Sequence, residues 1–287
     1  MFDRFFTGFS AARSCWEILR EDKKLVLFPL ISGIACLIVV LSFFLPLAVI
    51  QPRALMALFD DDPRAAAGQV PWWFWVLLFA FYFCNYFVIY FFNAALIHCA
   101  LFRFRGIPTS VNDGLWAATQ RLPQILAWSF VSATVGLLLK AIENSHERAG
   151  ELISSIAGTA WSIVTYFVMP VLIVEKVGPF EAIARSARIL KSTWGEALGG
   201  RIGIRWFMLP FWLIGIVVGV GGFFLLGSAL PLGVALLALA VVYLIVLALV
   251  NAALETILLS GLYLYATQGE VPAGMDRNVL KGAFAAK

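Results

Sequence analysis

Two short words in this chain place ionisable groups where chemistry is possible. Asn93-Ala94-Ala95-Leu96 recurs as Asn251-Ala252-Ala253-Leu254. His98 stands five residues after the first Asn and Glu255 four residues after the second. An imidazole that titrates near neutrality and a carboxylate are groups that pass protons or hold a cation. If the two words pack about a pseudo-axis, Asn93, His98, Asn251 and Glu255 form one polar intramembrane site. The competing reading is plainer. His98 and Glu255 then touch water or headgroups near the ends of over-long helices, and the two carboxamides tie helices together.

Other chemistry is sparse. There are two His, and the second, His146, falls in a loop between apolar runs. No HExxH, GxSxG, P-loop or Rossmann glycine pattern occurs. Asp60-Asp61-Asp62 offers oxygen ligands to a divalent cation, but a solvated acidic loop explains it equally. Cys15, Cys36, Cys84 and Cys99 make no CxxC pair, and none lies in an outside loop, so neither a metal site nor a disulfide framework is expected. No catalytic residue, cofactor or metal is assigned, and the chain is read as non-enzymatic.

The elements that must position these residues follow from the charges. Of 287 residues only 13% are charged, against roughly 25% in an average soluble domain. Apolar residues make up 62%, and the mean hydropathy is +0.91. A soluble fold cannot cover that much apolar surface with so few charges. No Asp, Glu, Lys or Arg occurs in 25–52, 65–102, 122–139, 152–174 or 206–254. A spanning helix needs about 20 mostly apolar residues. The first four runs hold one span each, at 25–50, 72–101, 122–139 and 152–174. The third is the shortest and most polar, with Gln124, Ser129, Ser132 and Thr134. The last run is too long for one helix, and Gly227-Ser228-Ala229-Leu230-Pro231 divides it into 206–226 and 231–254. The runs are apolar on every side, so spanning strands are excluded.

Lys and Arg set the orientation. With the N-terminus in the cytoplasm, 17 of the 21 basic residues lie inside. Only Arg53, Arg64, Lys140 and Arg148 lie outside. Both termini are therefore expected in the cytoplasm of a bacterial inner membrane, with a short tail at 268–287. The first apolar run is too long for a signal h-region, so no cleaved signal is read.

The basic segments carry helical periodicity. Phe2, Phe5, Phe9, Ala12, Trp16 and Leu19 form one stripe, and Phe180, Ile183, Ala187, Leu190 and Trp194 form another. A weaker stripe is Val111, Leu115, Ala118 and Leu122. Each reads as an amphipathic helix in the inner interface. The chain is thus one membrane domain, 1–287, with three repeats at 1–102, 107–176 and 178–267. Each repeat is an interfacial helix followed by two spans. Pro170 and Pro210 are expected to kink spans 4 and 5. Ser132-x-x-x-Gly136, Ser154-x-x-x-Gly158-x-x-x-Ser162 and Gly215-x-x-x-Gly219 permit close helix approach, within the chain or in a homo-oligomer.

The opening RFFTGFSAARSCWEILREDKKLVLFPLISG resembles a family of bacterial integral membrane proteins known as a domain of unknown function. The later GPFEAIARSARILKSTWGEAL is similar to a segment in the membrane domains of some glycerophosphodiester phosphodiesterases. Those enzymes carry catalysis in a separate soluble domain, for which this chain has no room. The resemblance implies six helices in an inner membrane and no activity.

The expected fold is all-α, a polytopic bundle of six spans with interfacial helices on the cytoplasmic side. The expected function is that of a channel- or transporter-like protein for an ion, small solute or lipid. The alternative is a structural, assembly or lipid-sensing scaffold. Membrane lipids are the expected partners, with anionic headgroups at the basic inner face and no nucleic acid.

Overall fold

A computed structural model describes residues 2–50, 72–143 and 149–272; within these, the side chains of 2–8, 50, 149, 151–152 and 192–202 stay outside the description. The Asp60-Asp61-Asp62 triplet, His146 and nearly all of the C-terminal tail also lie outside the described residues.

The described chain is helical, without a strand. Helix α1 is Phe2–Glu21, and a 3-10 turn at Lys23–Val26 leads into α2, Leu27–Ile50. Then come α3, Trp72–Phe104, and the short α4, Val111–Thr119. Next are α5, Leu122–Glu143, α6, Ala149–Val164, and α7, Val168–Glu175. The chain closes with α8, Pro179–Leu225, and α9, Leu230–Gln268. Among the described residues six segments are long and apolar enough to span: Lys23–Val49, Trp72–Phe104, Leu122–Glu143, Ile153–Glu175, Gly203–Leu225 and Leu230–Gln268. The third expected span, short by its charge-free run, gains a last turn past Lys140 and reaches 22 residues. The protein is an all-α, multi-pass membrane protein.

Local chemistry explains the boundaries. Before α4, Ser110 and Asp113 cap reciprocally. The Ser110 backbone N–H donates to Asp113 Oδ2 at 2.8 Å, and the Asp113 N–H to Ser110 Oγ at 3.2 Å. Gly106 after α3 and Gly269 after α9 take φ of 73° and 68°, the left-handed conformation that ends helices without a Cβ clash. Pro179 opens α8, where a missing N–H costs nothing.

Two boundaries differ from the sequence reading. The basic segment after Gly178 and span 5 are one continuous 47-residue helix through Pro210. The helix runs on past Gly195, Gly199 and Gly200 into the span at Gly203–Leu225, where, in a medium without water, continuing it keeps the backbone bonded internally. Span 4 is interrupted instead. Its helix stops at Val164 and restarts at Val168. Pro170, in the first turn of α7, has no N–H to give the Tyr166 carbonyl, so the helix breaks just before it.

The chain forms two compact units. One comprises 31–95 and 115–188, the other 1–30, 96–114 and 189–287.

In the 31–95 and 115–188 unit, α5 packs on α6 through small residues. Ser154 Oγ donates to the Leu139 carbonyl at 3.0 Å. The Ser132 and Gly136 stripe of α5 receives two tyrosines of α3. Tyr90 donates to Ser132 Oγ at 3.0 Å, and a Cβ on Gly136 would sit 3.3 Å from the Tyr86 hydroxyl. Rings stack onward from Tyr90 to Trp128 and from Trp128 to Trp161, with centroids 6.1 and 5.8 Å apart.

In the unit built from 1–30, 96–114 and 189–287, α1 packs on α9. The buried face of α1 is Ala11, Ala12, Cys15, Ile18 and Leu19. It is rotated from the aromatic stripe seen in the sequence. Small residues allow close approach, and Phe9 and Trp16 are left exposed on the flank, both against Phe207. Helices α8 and α9 touch backbone to backbone where Gly222 meets Gly233.

Candidate functional site

Helices α3 and α9 position the four residues singled out in the sequence. Asn93 is half-buried in α3, within the 31–95 part of its unit. His98, Asn251 and Glu255 belong to the other unit. There, Asn251 Nδ2 donates to Glu255 Oε1 at 3.1 Å, one turn along α9. The second sequence word thus makes a carboxylate–carboxamide pair within a single helix. His98 lies against Phe102, with ring centroids 4.5 Å apart, and within electrostatic reach of Asp113. The Asp113 carboxyl is held below its ordinary range first by the Ser110 backbone N–H, then by the Ser110 hydroxyl, with a lesser contribution from His98.

Polar residues outside the four are mostly used in structure. Arg103 pairs with Glu21, and Arg105 donates to Gln268 Oε1 at 3.2 Å. Arg185 Nε reaches both oxygens of Glu175 at 3.0 and 3.2 Å. Arg121 Nε donates to the Ile173 carbonyl at 3.1 Å, satisfying an end of α7. Gln124 Oε1 is buried and accepts no hydrogen bond among the described residues. Cys15 is buried, and burial pushes its thiol up to about 12, far from the reactive thiolate. Among the described residues no group of three or more His, Cys, Asp and Glu side chains stands together as a metal site requires.

The sequence reading missed a pair of neighbouring cavities. The first, of about 260 Å³, is lined by Trp16, Phe207, Met208, Phe211, Tyr243, Val246, Leu247 and Val250. Residues 243, 246, 247 and 250 lie on one face of α9. The second, of about 540 Å³, is lined by Trp16, Leu19, Arg20, Lys23, Val26 and Val250. Trp16 and Val250 line both. The apolar space therefore adjoins a space with two cations at its rim. Neither Arg20 nor Lys23 enters an ion pair among the described residues. Asp22 fixes the turn that presents Lys23, by accepting the Lys24 N–H at 3.3 Å. The aromatic spacing of α1 was the available signal, but its partners on α8 and α9 lie some 190 residues or more further along the chain.

The arrangement is thus a groove with an apolar floor and a basic mouth. Over residues 73–273 the chain matches a family described as a family of unknown function (DUF6159). The chain belongs to this family. The match runs from the start of α3 past the end of α9, so it covers five of the six spans and the α8 and α9 walls of the groove. Trp16, Arg20 and Lys23, like the opening motif, precede it. The resemblance of 178–198 to a glycerophosphodiester phosphodiesterase segment gains no support, since the model matching that stretch is this family's. No curated protein and no solved structure matches the chain.

Proposed function

We propose that this chain is a non-enzymatic, transporter-like protein of a bacterial inner membrane, with both termini in the cytoplasm, and that the species it handles is lipid. The observation that carries this reading is the apolar groove between α8 and α9, flanked by Trp16 and adjoining Arg20 and Lys23. An ion or small polar solute needs convergent polar groups. Among the described residues the groove's lining offers aromatic rings, aliphatic side chains and Met208, with the Trp16 indole and Tyr243 hydroxyl its only hydrogen-bonding side-chain groups. That hydroxyl donates to the Phe211 carbonyl at 3.2 Å. The 17-to-4 bias of basic residues supports the orientation.

A second reading, a lipid-sensing or assembly scaffold, is favoured by one observation. Asn251 satisfies Glu255 within its own helix, as a structural pair does.

Reconstitution separates the two. Proteoliposomes carrying a fluorescent phospholipid in one leaflet are monitored for its appearance in the other, with proton and cation flux measured in parallel. The lipid-transport reading expects lipid crossing above empty vesicles, and little change in Glu255→Gln or His98→Ala. Ion flux abolished by Glu255→Gln would replace it with a proton or cation pathway. Background crossing of every species would favour the scaffold.

A further inference from the structure

Depth along α9 gives the two cavities a common meaning. At 1.5 Å per residue this 39-residue helix is roughly 58 Å long, about twice the hydrocarbon thickness of about 30 Å. About 20 residues span that thickness. Counted from the break at Ala229–Leu230, the hydrocarbon ends close to Val250. Tyr243 and Val246 then lie at acyl depth, and Val250 lies at the boundary with the headgroups. Trp16 shares that boundary, where an indole is favoured. Arg20 and Lys23 line the same space as Val250, and Lys23 opens the first span, so both cations belong to that boundary.

We propose that the groove of Trp16, Phe207, Phe211, Tyr243, Val246 and Val250 holds an acyl chain of an anionic phospholipid whose phosphate lies against Arg20 and Lys23. The lining is apolar along α9 from Tyr243 to Val250, roughly 10 Å of helix, enough for the headgroup-proximal part of an acyl chain. The cations sit at one end only, which matches the polarity of a single lipid molecule. Both are exposed and outside any ion pair among the described residues; of the acids between them, Glu21 is taken by Arg103 and Asp22 accepts the Lys24 N–H, so the two cations stay open to an anion. A zwitterionic headgroup adds its own ammonium beside them and is less favoured. The site deepens the lipid reading above, but it is a binding claim, so a silent flux assay leaves it standing.

The test uses the full chain in phosphatidylcholine vesicles with either brominated phosphatidylglycerol or brominated phosphatidylcholine. Bromine quenches nearby indoles, and the Trp16 component is the difference between wild type and Trp16→Phe. The expected result is a preference of roughly tenfold for the anionic lipid, given two basic groups at the surface. It should weaken as salt rises. Arg20→Gln with Lys23→Gln should bring the two lipids to within about twofold while Trp16 stays quenched. Equal quenching by both lipids in the wild type would overturn the headgroup assignment. No Trp16 quenching by either would overturn the groove. Quenching that disappears as the protein-to-lipid ratio rises would put a second copy of the chain there, and would also overturn it.

Discussion

Ser186 Oγ accepts the Phe167 backbone N–H at 3.0 Å and donates its own hydrogen to the Val164 carbonyl at 2.6 Å. One hydroxyl from α8 therefore mends the break between α6 and α7. Irregular backbone at membrane depth is tolerated only where such partners exist. Ser186 and Phe167 are both fully buried, so no water substitutes.

Ser186→Ala should therefore leave a donor and an acceptor unsatisfied in a low-dielectric interior. The expected loss is about 1–3 kcal/mol of stability. Ser129→Ala is the comparison. Ser129 is equally buried, but its hydroxyl only adds a bond to the Ile125 carbonyl one turn back, at 2.7 Å. That substitution should cost well under about 1 kcal/mol. Denaturant titration of the two variants in one detergent checks the difference; equal losses would mean that Ser186 does not support the break.

Spans were legible in the sequence because lipid forbids charge over a whole helix, so charge-free runs such as 25–52 report them directly. The join of 178–198 to span 5 was not legible. Its glycines and charges read as a boundary, yet only the surroundings decide whether such a helix continues. Pro170 announced a perturbation, but the residue that repairs it, Ser186, lies 16 positions on and looks like any helical serine. The candidate site was legible only locally. The spacing of Asn251 and Glu255 sets up a one-turn pair, and Ser110-x-x-Asp113 is a readable cap. The groove was hidden because Trp16, Phe207 and Tyr243 are joined by packing alone.

The Asp113 cap predicts a pH dependence. Its folded-state carboxyl titrates below the usual value, so its contribution is complete above the unfolded pKa of about 3.9. It is lost as pH falls through the lower folded value. The first turn of α4 should hold its protection at neutral pH and open below about pH 4. Hydrogen exchange of amides 110–114 between pH 6 and 3, corrected for intrinsic rates, checks this. Asp113→Asn should remove the step; a step that survives would assign it to another group.

Cys15 offers a readout of α1 docking. Its side chain is fully buried on a helix that packs on α9, and burial lifts the thiol to about 12, so both access and thiolate are withheld. At neutral pH a maleimide should leave Cys15 unmodified in the folded chain and react fully after denaturation. Peptide mass mapping distinguishes it from Cys36, Cys84 and Cys99. Rapid labelling of Cys15 without denaturant would show that α1 leaves its place on α9.

Gly233 and Gly221 should respond oppositely to alanine. A Cβ on Gly233 would meet the Leu226 nitrogen at 2.8 Å and the Gly222 carbonyl oxygen at 2.9 Å. Both are backbone atoms, so no side chain can swing aside, and α8 and α9 would have to separate. Overpacking of this kind costs about 1–3 kcal/mol. A Cβ on Gly221 meets nothing within 4 Å. There alanine should be neutral, or stabilising by up to about 1 kcal/mol through helix propensity. Separation at Gly233 should also widen the space between Phe211 and Tyr243, so Gly233→Ala should weaken Trp16 quenching by brominated lipid while Gly221→Ala preserves it. Equal stability and equal quenching in the two variants would contradict the close crossing of α8 and α9.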